Sequence, residues 1–259
     1  MKNLKRAFFT FSCFAFLLFP QSCKEKEINK IEEDEKEDYL FMEDYFTGFD
    51  WGAEEAEYSK IPKEMSLITL SDNTIQTNSR AVLTDYMPPI KSQGKYGTCT
   101  AWAVGYYTRT IAYAREHNLT AADLREAPNQ FSPLDIFLSI DRGYNCRGSA
   151  IYEAMRVMQS RGIARMSDVP YVELGNCSQT SHATDSQVIP GRIEHFRRLD
   201  QLSTEEFKSQ VAMGRPVAVG CKLGPEFFKY KEGVLLGDDY TKWDAEGIHS
   251  GHAMTVVGY

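Results

Sequence analysis

The sequence lacks the cysteine and histidine spacings that are typical of zinc sites. None of its six cysteines or five histidines forms a Cys-x-x-Cys or His-x-x-x-His pair, so we expect neither a metal nor another cofactor. The sequence also lacks a basic stripe. Residues 24–60 hold fourteen acidic residues against five lysines, and the rest of the chain is about neutral. This charge distribution argues against nucleic acid as a partner.

No apolar run is long enough to span a bilayer comfortably. The longest, residues 7–19, follows a basic start (MKNLKR) and has the size of a signal-peptide core. It ends at PQSC, where a small residue before Cys23 is similar to a bacterial lipoprotein processing site. We therefore assign residues 1–23 to a lipoprotein-type signal, with Cys23 as the lipid anchor to a membrane. A plain secretory signal is the alternative, and either one exports the chain.

Residues 24–78 are interpreted as an acidic tether, which becomes rich in aromatic side chains between residues 39 and 51. The acidic first part is typical of a solvated linker. The aromatic part has two interpretations: it docks on the surface of the following domain, or it is a short segment that occludes a cleft.

Helical patterns fill the first half of the remaining chain, residues 79–259. Helical spacing from Thr100 predicts a helix that stops at His117 and Asn118. Ser132 followed by Pro133 is typical of a second helix start.

A third helix is predicted over AIYEAMRVMQSR, with Ser149 as its N-cap and Gly162 as its left-handed end. The second half changes character, because residues 216–223 and 252–259 are β-branched, apolar and bounded by turns. We expect an α+β fold, a helical lobe followed by an antiparallel β lobe, with a cleft between them.

Cys99 stands where a glycine-rich turn, KSQGKYGTC, meets the first helix. A cysteine there could be a packed residue, half of a disulfide, a metal ligand or a nucleophile. The unsatisfied N–H groups of a helix start favour a thiolate, which is the nucleophilic form. Gln93, just upstream, could donate to an oxygen that the Cys99 backbone N–H also holds, as acyl transfer requires.

The histidine best placed to act as a base is His252. It opens an apolar strand directly after a glycine, which is a rigid position for a side chain that projects into a cleft. His117 lies at a helix end, His182 in a polar loop and His195 in sequence typical of a surface, whereas His249 lies three residues before His252.

Five ordered stretches resemble the papain-like cysteine proteases. QGKYGTCTAWA is similar to their active-site stretch QGxCGSCWAFA, and GHAMTVVGY to their histidine strand xHAVxxVGYG. Between these, YNCRGSAIYEAM, RGIARMSDVPY and GRPVAVGCKLGPEFFKYKEGVL resemble three further family segments in the same order.

The resemblance implies a papain-like two-lobe fold and peptide-bond hydrolysis. By position it implies that Cys99 is the nucleophile, His252 the base and Gln93 the oxyanion-hole donor. The resemblance also implies that Gly148 and Ser149 make main-chain contacts to an extended peptide substrate. Ala253 would border the pocket for the second residue before the scissile bond.

The sequence departs from the family pattern at several points. Tyr96 stands where the family has a disulfide cysteine, so Cys146 is expected to pair with Cys177 instead. The family's Asn-Ser-Trp motif, whose asparagine orients the histidine, has no counterpart before Tyr259. We therefore expect a domain that is incomplete at its C-terminus, with residues 256–259 lacking sheet neighbours.

Two functions remain open. The first is an exported cysteine peptidase that acts through a Cys99 thioester on peptide or protein substrates. The second is an inactive, surface-anchored module that binds peptides in the same cleft. The intact Gln93, Cys99 and His252 favour the first, and the sequence leaves the oligomeric state open.

Overall fold

The structure is a computed structural model that describes residues 48–64, 80–140, 148–172, 180–200, 202–235, 240–241 and 250–259. All of these belong to one unit of the chain, residues 40–259. Cys23, Cys146 and Cys177 lie outside the described residues, so the lipidation and disulfide predictions stay predictions. Within these ranges no helix is long and apolar enough to cross a bilayer.

Helices dominate the described part of the chain. The α-helices are α1 (Trp51–Tyr58), α2 (Cys99–Ala101), α3 (Thr110–Glu116), α4 (Pro133–Ser139), α5 (Ile151–Ser160), α6 (Asp185–Val188), α7 (Thr204–Ala212) and α8 (Pro225–Lys229). Short 3₁₀ turns cover Thr84–Tyr86, Asp123–Arg125, Ala127–Asn129 and Ile189–Gly191.

The predicted first helix is confirmed, with an unpredicted π-helical middle. Helices α2 and α3 are continuous through a π-helix over Trp102–Arg109. The run ends at Glu116, and Asn118 follows with φ of 54°, in the left-handed region that stops a helix. The central helix of the domain therefore begins at Cys99, as the sequence indicates.

The start of α4 is the one predicted, whereas the start of α5 is not. Ser132 Oγ accepts the Asp135 N–H at 3.1 Å, and a proline opens α4. The N-cap of α5 is Ala150, so the assignment of Ser149 is wrong. The Glu153 carboxylate reaches back to the Ala150 N–H at 2.8 Å, which satisfies the helix start from inside its first turn. Ser149 is thereby left outside the helix, with an extended main chain.

The predicted strands pair antiparallel. Strand β1 (Val217–Lys222) faces β2 (Gly251–Val256), with Cys221 opposite His252 and Gly220 opposite Ala253. The Thr255 hydroxyl donates to the Ala103 carbonyl at 2.8 Å, which ties β2 to the π-helix. The helices and this sheet agree with the predicted α+β class.

The expectation that residues 256–259 lack neighbours is wrong. Val256 pairs with Val217 at the end of the sheet. Beyond it, the Leu83 N–H donates to the Val257 carbonyl at 2.8 Å, and the Tyr259 N–H donates to the Ala81 carbonyl at 2.9 Å. Residues 81–83, from the start of the domain, thus continue the pairing of β2.

The core of the helical part lies where α4, α5 and the π-helix meet. Its buried side chains include Val104, Phe131, Ile136, Met158 and Ile163. Gly105 allows this close approach, because a Cβ there would lie 3.0 Å from the Ile163 Cδ1 atom.

A buried carboxylate ties α4 to the end of α5. Asp135 is fully buried and accepts both terminal nitrogens of the Arg161 guanidinium, at 2.9 and 3.0 Å. It also accepts the Ala164 N–H at 2.8 Å and the Ser181 hydroxyl. Four donors compensate the cost of burying the charge.

Replacing Asp135 by asparagine should lower the free energy of unfolding by about 3 kcal/mol, because Arg161 would lose its carboxylate partner at a buried site. Urea unfolding followed by circular dichroism measures the change. The matched control is Asp85→Asn, at an exposed aspartate, which should change stability by less than about 0.5 kcal/mol. Equal effects of the two substitutions would contradict the role given to Asp135.

Candidate active site

Cys99 is the first residue of α2 and is 1% exposed. The turn before it is closed by the Thr98 N–H, which donates to the Tyr96 carbonyl at 2.7 Å. Two backbone N–H groups point at the Cys99 sulfur, one from Gly48 at 3.3 Å and one from Ala253 at 3.5 Å. The thiol therefore lies between the helix start, strand β2 and the segment at residue 48.

Burial opposes the thiolate that a helix start favours at Cys99. Burial raises the pKa of the Cys99 thiol, although the hydrogen bonds from Ala253 and Gly48 act in the opposite direction. A helix start stabilises an anion by about 1 kcal/mol or less in exposed positions, which is less than the cost of enclosing a charge. The closed cleft therefore favours the neutral form of the Cys99 thiol.

His252 is the second residue of β2, and it lines the same cavity as Cys99. Its ring centroid lies 5.4 Å from that of Phe227. Burial lowers the pKa of His252 to about 4, so the imidazole is neutral near pH 7. Its Nδ1 atom is buried without a hydrogen-bond partner among the described residues.

Gln93 lies in the turn before Cys99, where its side chain closes the loop. The carboxamide donates to the Tyr96 carbonyl at 2.9 Å, and the Gln93 carbonyl accepts the Tyr171 hydroxyl at 2.7 Å. Gln93, Cys99 and His252 together line a cavity of about 290 Å³. The structure thus brings together the three residues that the sequence singles out.

Ser149 binds an extended segment of the same chain through its main chain. The Ser149 N–H donates to the Gly48 carbonyl at 2.7 Å, and its carbonyl accepts the Asp50 N–H at 3.2 Å. Phe49 and Ser149 form a parallel bridge. At Gly148 a Cβ would collide with the Gly48 carbonyl. The two predicted peptide-contact residues thus already face a peptide strand.

Ala253 is buried in a small apolar cluster around the phenyl ring of Phe49. Cys99 and Ala103 complete the buried part of this cluster. Across the sheet, a Cβ at Gly220 would collide with the Phe49 ring. Gly220 on β1 and Ala253 on β2 face each other, and their small size leaves room for the Phe49 ring.

Sequence reasoning missed two contacts of this site. Glu54, in α1, accepts the Tyr152 N–H at the start of α5 at 3.0 Å. The Gly251 carbonyl accepts the Phe49 N–H at 3.4 Å. The aromatic composition of this segment predicts docking on the domain surface as one of two interpretations, but composition alone does not identify the residues that the segment contacts.

Among the described residues, no group of three or more histidine, cysteine, aspartate or glutamate side chains could hold a metal ion. Cys99 and Cys221 are both free thiols. The Cys221 Sγ atom lies 3.4 Å from the His252 carbonyl oxygen, and the Cys99 Sγ atom accepts the Ala253 N–H at 3.5 Å. The two sulfurs therefore contact opposite ends of the peptide group between residues 252 and 253. That peptide group separates the two thiols.

Comparison with known proteins gives a family for this arrangement. Residues 76–259 match the family described as papain family cysteine protease. Papain from Carica papaya is 23% identical over 172 residues, which make up 66% of this chain and 44% of papain's length. The chain belongs to the papain family of cysteine proteases.

Solved structures show the same fold. Xylellain, a cysteine protease from Xylella fastidiosa, is 18% identical with a TM-score of 0.51, over 83% of this chain and 79% of that one. The ragweed pollen cysteine protease Amb a 11, in its proform, is 20% identical with a TM-score of 0.60, over 90% of this chain and 69% of that one. The predicted papain-like α+β fold is confirmed.

Because burial raises the pKa of the Cys99 thiol, its alkylation by iodoacetamide should accelerate by about tenfold per pH unit between roughly pH 6 and 9. Mass spectrometry of the Cys99 peptide measures the rate. His252→Ala should leave this profile unchanged above about pH 6, because the imidazole is already neutral there. A rate that is flat across this range, and that becomes pH-dependent only in His252→Ala, would show a thiolate–imidazolium pair instead.

Proposed function

We propose that this chain is a cysteine peptidase that hydrolyses peptide bonds through an acyl-enzyme on Cys99. The observation that carries the proposal is the shared cavity of Cys99, His252 and Gln93, with the thiol at a helix start and the imidazole on the facing strand. Membership of the papain family supports the same reaction.

In this reaction Cys99 is the nucleophile and His252 transfers the protons. His252 takes the proton of the Cys99 thiol, and the sulfur attacks the carbonyl carbon of the peptide. The C–N bond breaks, the amine leaves with the proton from His252, and a thioester remains on Cys99. Water then attacks the thioester, with His252 as the base, and releases the carboxylic acid and the free thiol.

Two donors are available for the oxyanion that forms on the attacked carbonyl. The Cys99 N–H belongs to the first turn of a helix, where backbone donors lack intrahelical partners. The Gln93 carboxamide carries two N–H donors and lines the same cavity. Such preorganised donors stabilise the tetrahedral intermediate.

The substrate we propose is an extended peptide or a protein segment. Support comes from Ser149, whose N–H and carbonyl both bind a strand in the described structure. The apolar cluster at Ala253 and Gly220 accommodates a ring, so the residue paired with Ser149 should be apolar or aromatic.

A second candidate function is peptide binding without turnover. Burial disfavours the charged forms of both Cys99 and His252, and His252 Nδ1 has no hydrogen-bond partner in the described part of the chain. A third group that fixes the imidazole is what a cysteine–histidine pair needs for efficient proton transfer. This observation favours the binding module in the closed state.

Replacing Cys99 by alanine should abolish hydrolysis of a fluorogenic peptide library by the full chain, because no thioester can form. The matched control is Cys221→Ala, the other described free thiol, which should keep wild-type hydrolysis. Retained hydrolysis in Cys99→Ala would exclude the mechanism. Peptide binding by the full chain with no hydrolysis above the Cys99→Ala background would establish the second candidate.

We further propose that the chain is exported and anchored to a membrane by a lipid on Cys23. The basic start, the apolar run over residues 7–19 and the small residue before Cys23 support this location. In bacterial cells, wild-type protein should incorporate labelled fatty acid and Cys23→Ser should not. Equal labelling of the two would contradict the anchor.

A further inference from the structure

The turn that carries both proposed oxyanion donors is exposed at its tip. It leads from Gln93 to the buried start of α2, and Ser92 and Lys95 are exposed to solvent. Tyr96 stands where the family resemblance implies a disulfide cysteine, so residue 96 cannot tie the turn through a disulfide bond. Because oxyanion donors act by being preorganised, this turn needs another constraint.

A single phenol hydroxyl bridges the two ends of this turn. The Tyr171 hydroxyl donates to the Gln93 carbonyl at 2.7 Å, and its oxygen lies 2.7 Å from the Thr98 Oγ1 atom. A phenol has one hydrogen, and the Gln93 carbonyl accepts it, so the Thr98 hydroxyl donates to the phenol oxygen. This arrangement is named here the Tyr171 bridge, and it fixes the distance between residues 93 and 98.

Both ends of the Tyr171 bridge adjoin a proposed oxyanion donor. Gln93 carries the carboxamide, which donates to the Tyr96 carbonyl at 2.9 Å. Thr98 is fully buried and shares with Cys99 the peptide group whose N–H is the second donor. A shift at either end therefore changes the separation of the two donors, and a site of this kind requires its groups to be held within roughly 0.5 Å.

The helical part of the fold holds Tyr171 itself. Two residues earlier, the Val169 carbonyl accepts the Ser132 hydroxyl at 2.6 Å, at the start of α4. Pro170, which lies between Val169 and Tyr171, restricts the main chain. The Tyr171 ring packs edge-on against the ring of Trp102, with centroids 4.8 Å apart. The phenol is thus fixed on α4 and on the central helix.

The protonation of Tyr171 suits this role. Burial raises the pKa of the Tyr171 hydroxyl, although the hydrogen bond with Thr98 acts in the opposite direction. The phenol therefore keeps its proton near pH 7. A phenolate could not donate to the Gln93 carbonyl, so the Tyr171 bridge depends on the neutral form.

We propose that Tyr171 is a positioning residue for the peptidase reaction, because its hydroxyl sets the separation of the Gln93 carboxamide and the Cys99 N–H around the oxyanion. The inference rests on the proposed peptidase function, and it adds a residue outside the cavity that Cys99, His252 and Gln93 line. Tyr171 acts through the turn and does not touch the substrate.

The test compares steady-state hydrolysis of one fluorogenic peptide by the full wild-type chain and by Tyr171→Phe, which removes the hydroxyl and keeps the ring. Loss of the bridge should lower kcat about tenfold, the effect of about one hydrogen bond. KM should stay within about twofold of the wild type, because the oxyanion forms only after the substrate has bound.

Tyr106→Phe is the matched control. The Tyr106 ring packs on the same tryptophan, Trp102, and its hydroxyl donates to the Pro89 carbonyl at 2.8 Å. This variant loses an equivalent hydrogen bond from the same aromatic cluster, and both its kcat and its KM should stay within about twofold of the wild type. Equal losses of kcat in the two variants would show that the cluster as a whole is loosened, and would overturn the proposal. A wild-type kcat in Tyr171→Phe would overturn it as well.

A double variant tests whether Tyr171 acts through the donors. In the background of Gln93→Ala, one of the two donors whose separation the bridge sets is gone. Tyr171→Phe should then lower kcat by less than about twofold, because the two substitutions remove parts of one unit. A full tenfold loss in that background would give Tyr171 an independent role and contradict the proposal.

Amide hydrogen exchange of the peptide covering residues 93–99 separates this proposal from the proposed function. Faster exchange in Tyr171→Phe but not in Tyr106→Phe, without hydrolysis by the wild type, would support the Tyr171 bridge and refute the peptidase. Hydrolysis by the wild type, with exchange and kcat both unchanged in Tyr171→Phe, would support the peptidase and refute the bridge.

Discussion

The Cys99 sulfur lies at the junction of three segments, and their arrangement determines what the site can do. Helix α2 supplies the sulfur, β2 brings Ala253 to 3.5 Å from it, and residue 48 covers it at 3.3 Å. Each segment is positioned by a different part of the fold. The π-helix and the Asp135 network hold the helical side, and the pairing of β1 with β2 holds His252. Residues 48 and 49 close the remaining side.

The enclosure disfavours the charged forms of both Cys99 and His252. Burial raises the pKa of Cys99 and lowers the pKa of His252 to about 4, so proton transfer between them is opposed as long as the cleft excludes water. Opening the cleft would rehydrate both groups and weaken both pKa shifts.

Local patterns were sufficient for much of this site. A glycine turn before a helical pattern placed Cys99 at a helix start, and a β-branched run placed His252 on a strand. Long-range packing could not be predicted from the sequence. The sequence around Phe49 does not identify Ser149 and Gly251 as its contacts, and the sequence around Val257 does not identify Leu83 as its partner. The enclosure of Cys99 could not be predicted for the same reason, because one of the residues that contacts its sulfur, Gly48, lies about fifty residues upstream.

We propose that Cys99, whose sulfur residue 48 of the same chain covers, is a competent nucleophile. The most direct measurement inserts a specific protease site at the exposed turn between Ser59 and Lys60 and follows adduct formation by a peptidyl epoxide on Cys99. The account predicts little adduct before the cut, and full labelling of Cys99 once the chain is cut and the N-terminal fragment is removed. Equal labelling before and after the cut, or no labelling after it, would contradict the account.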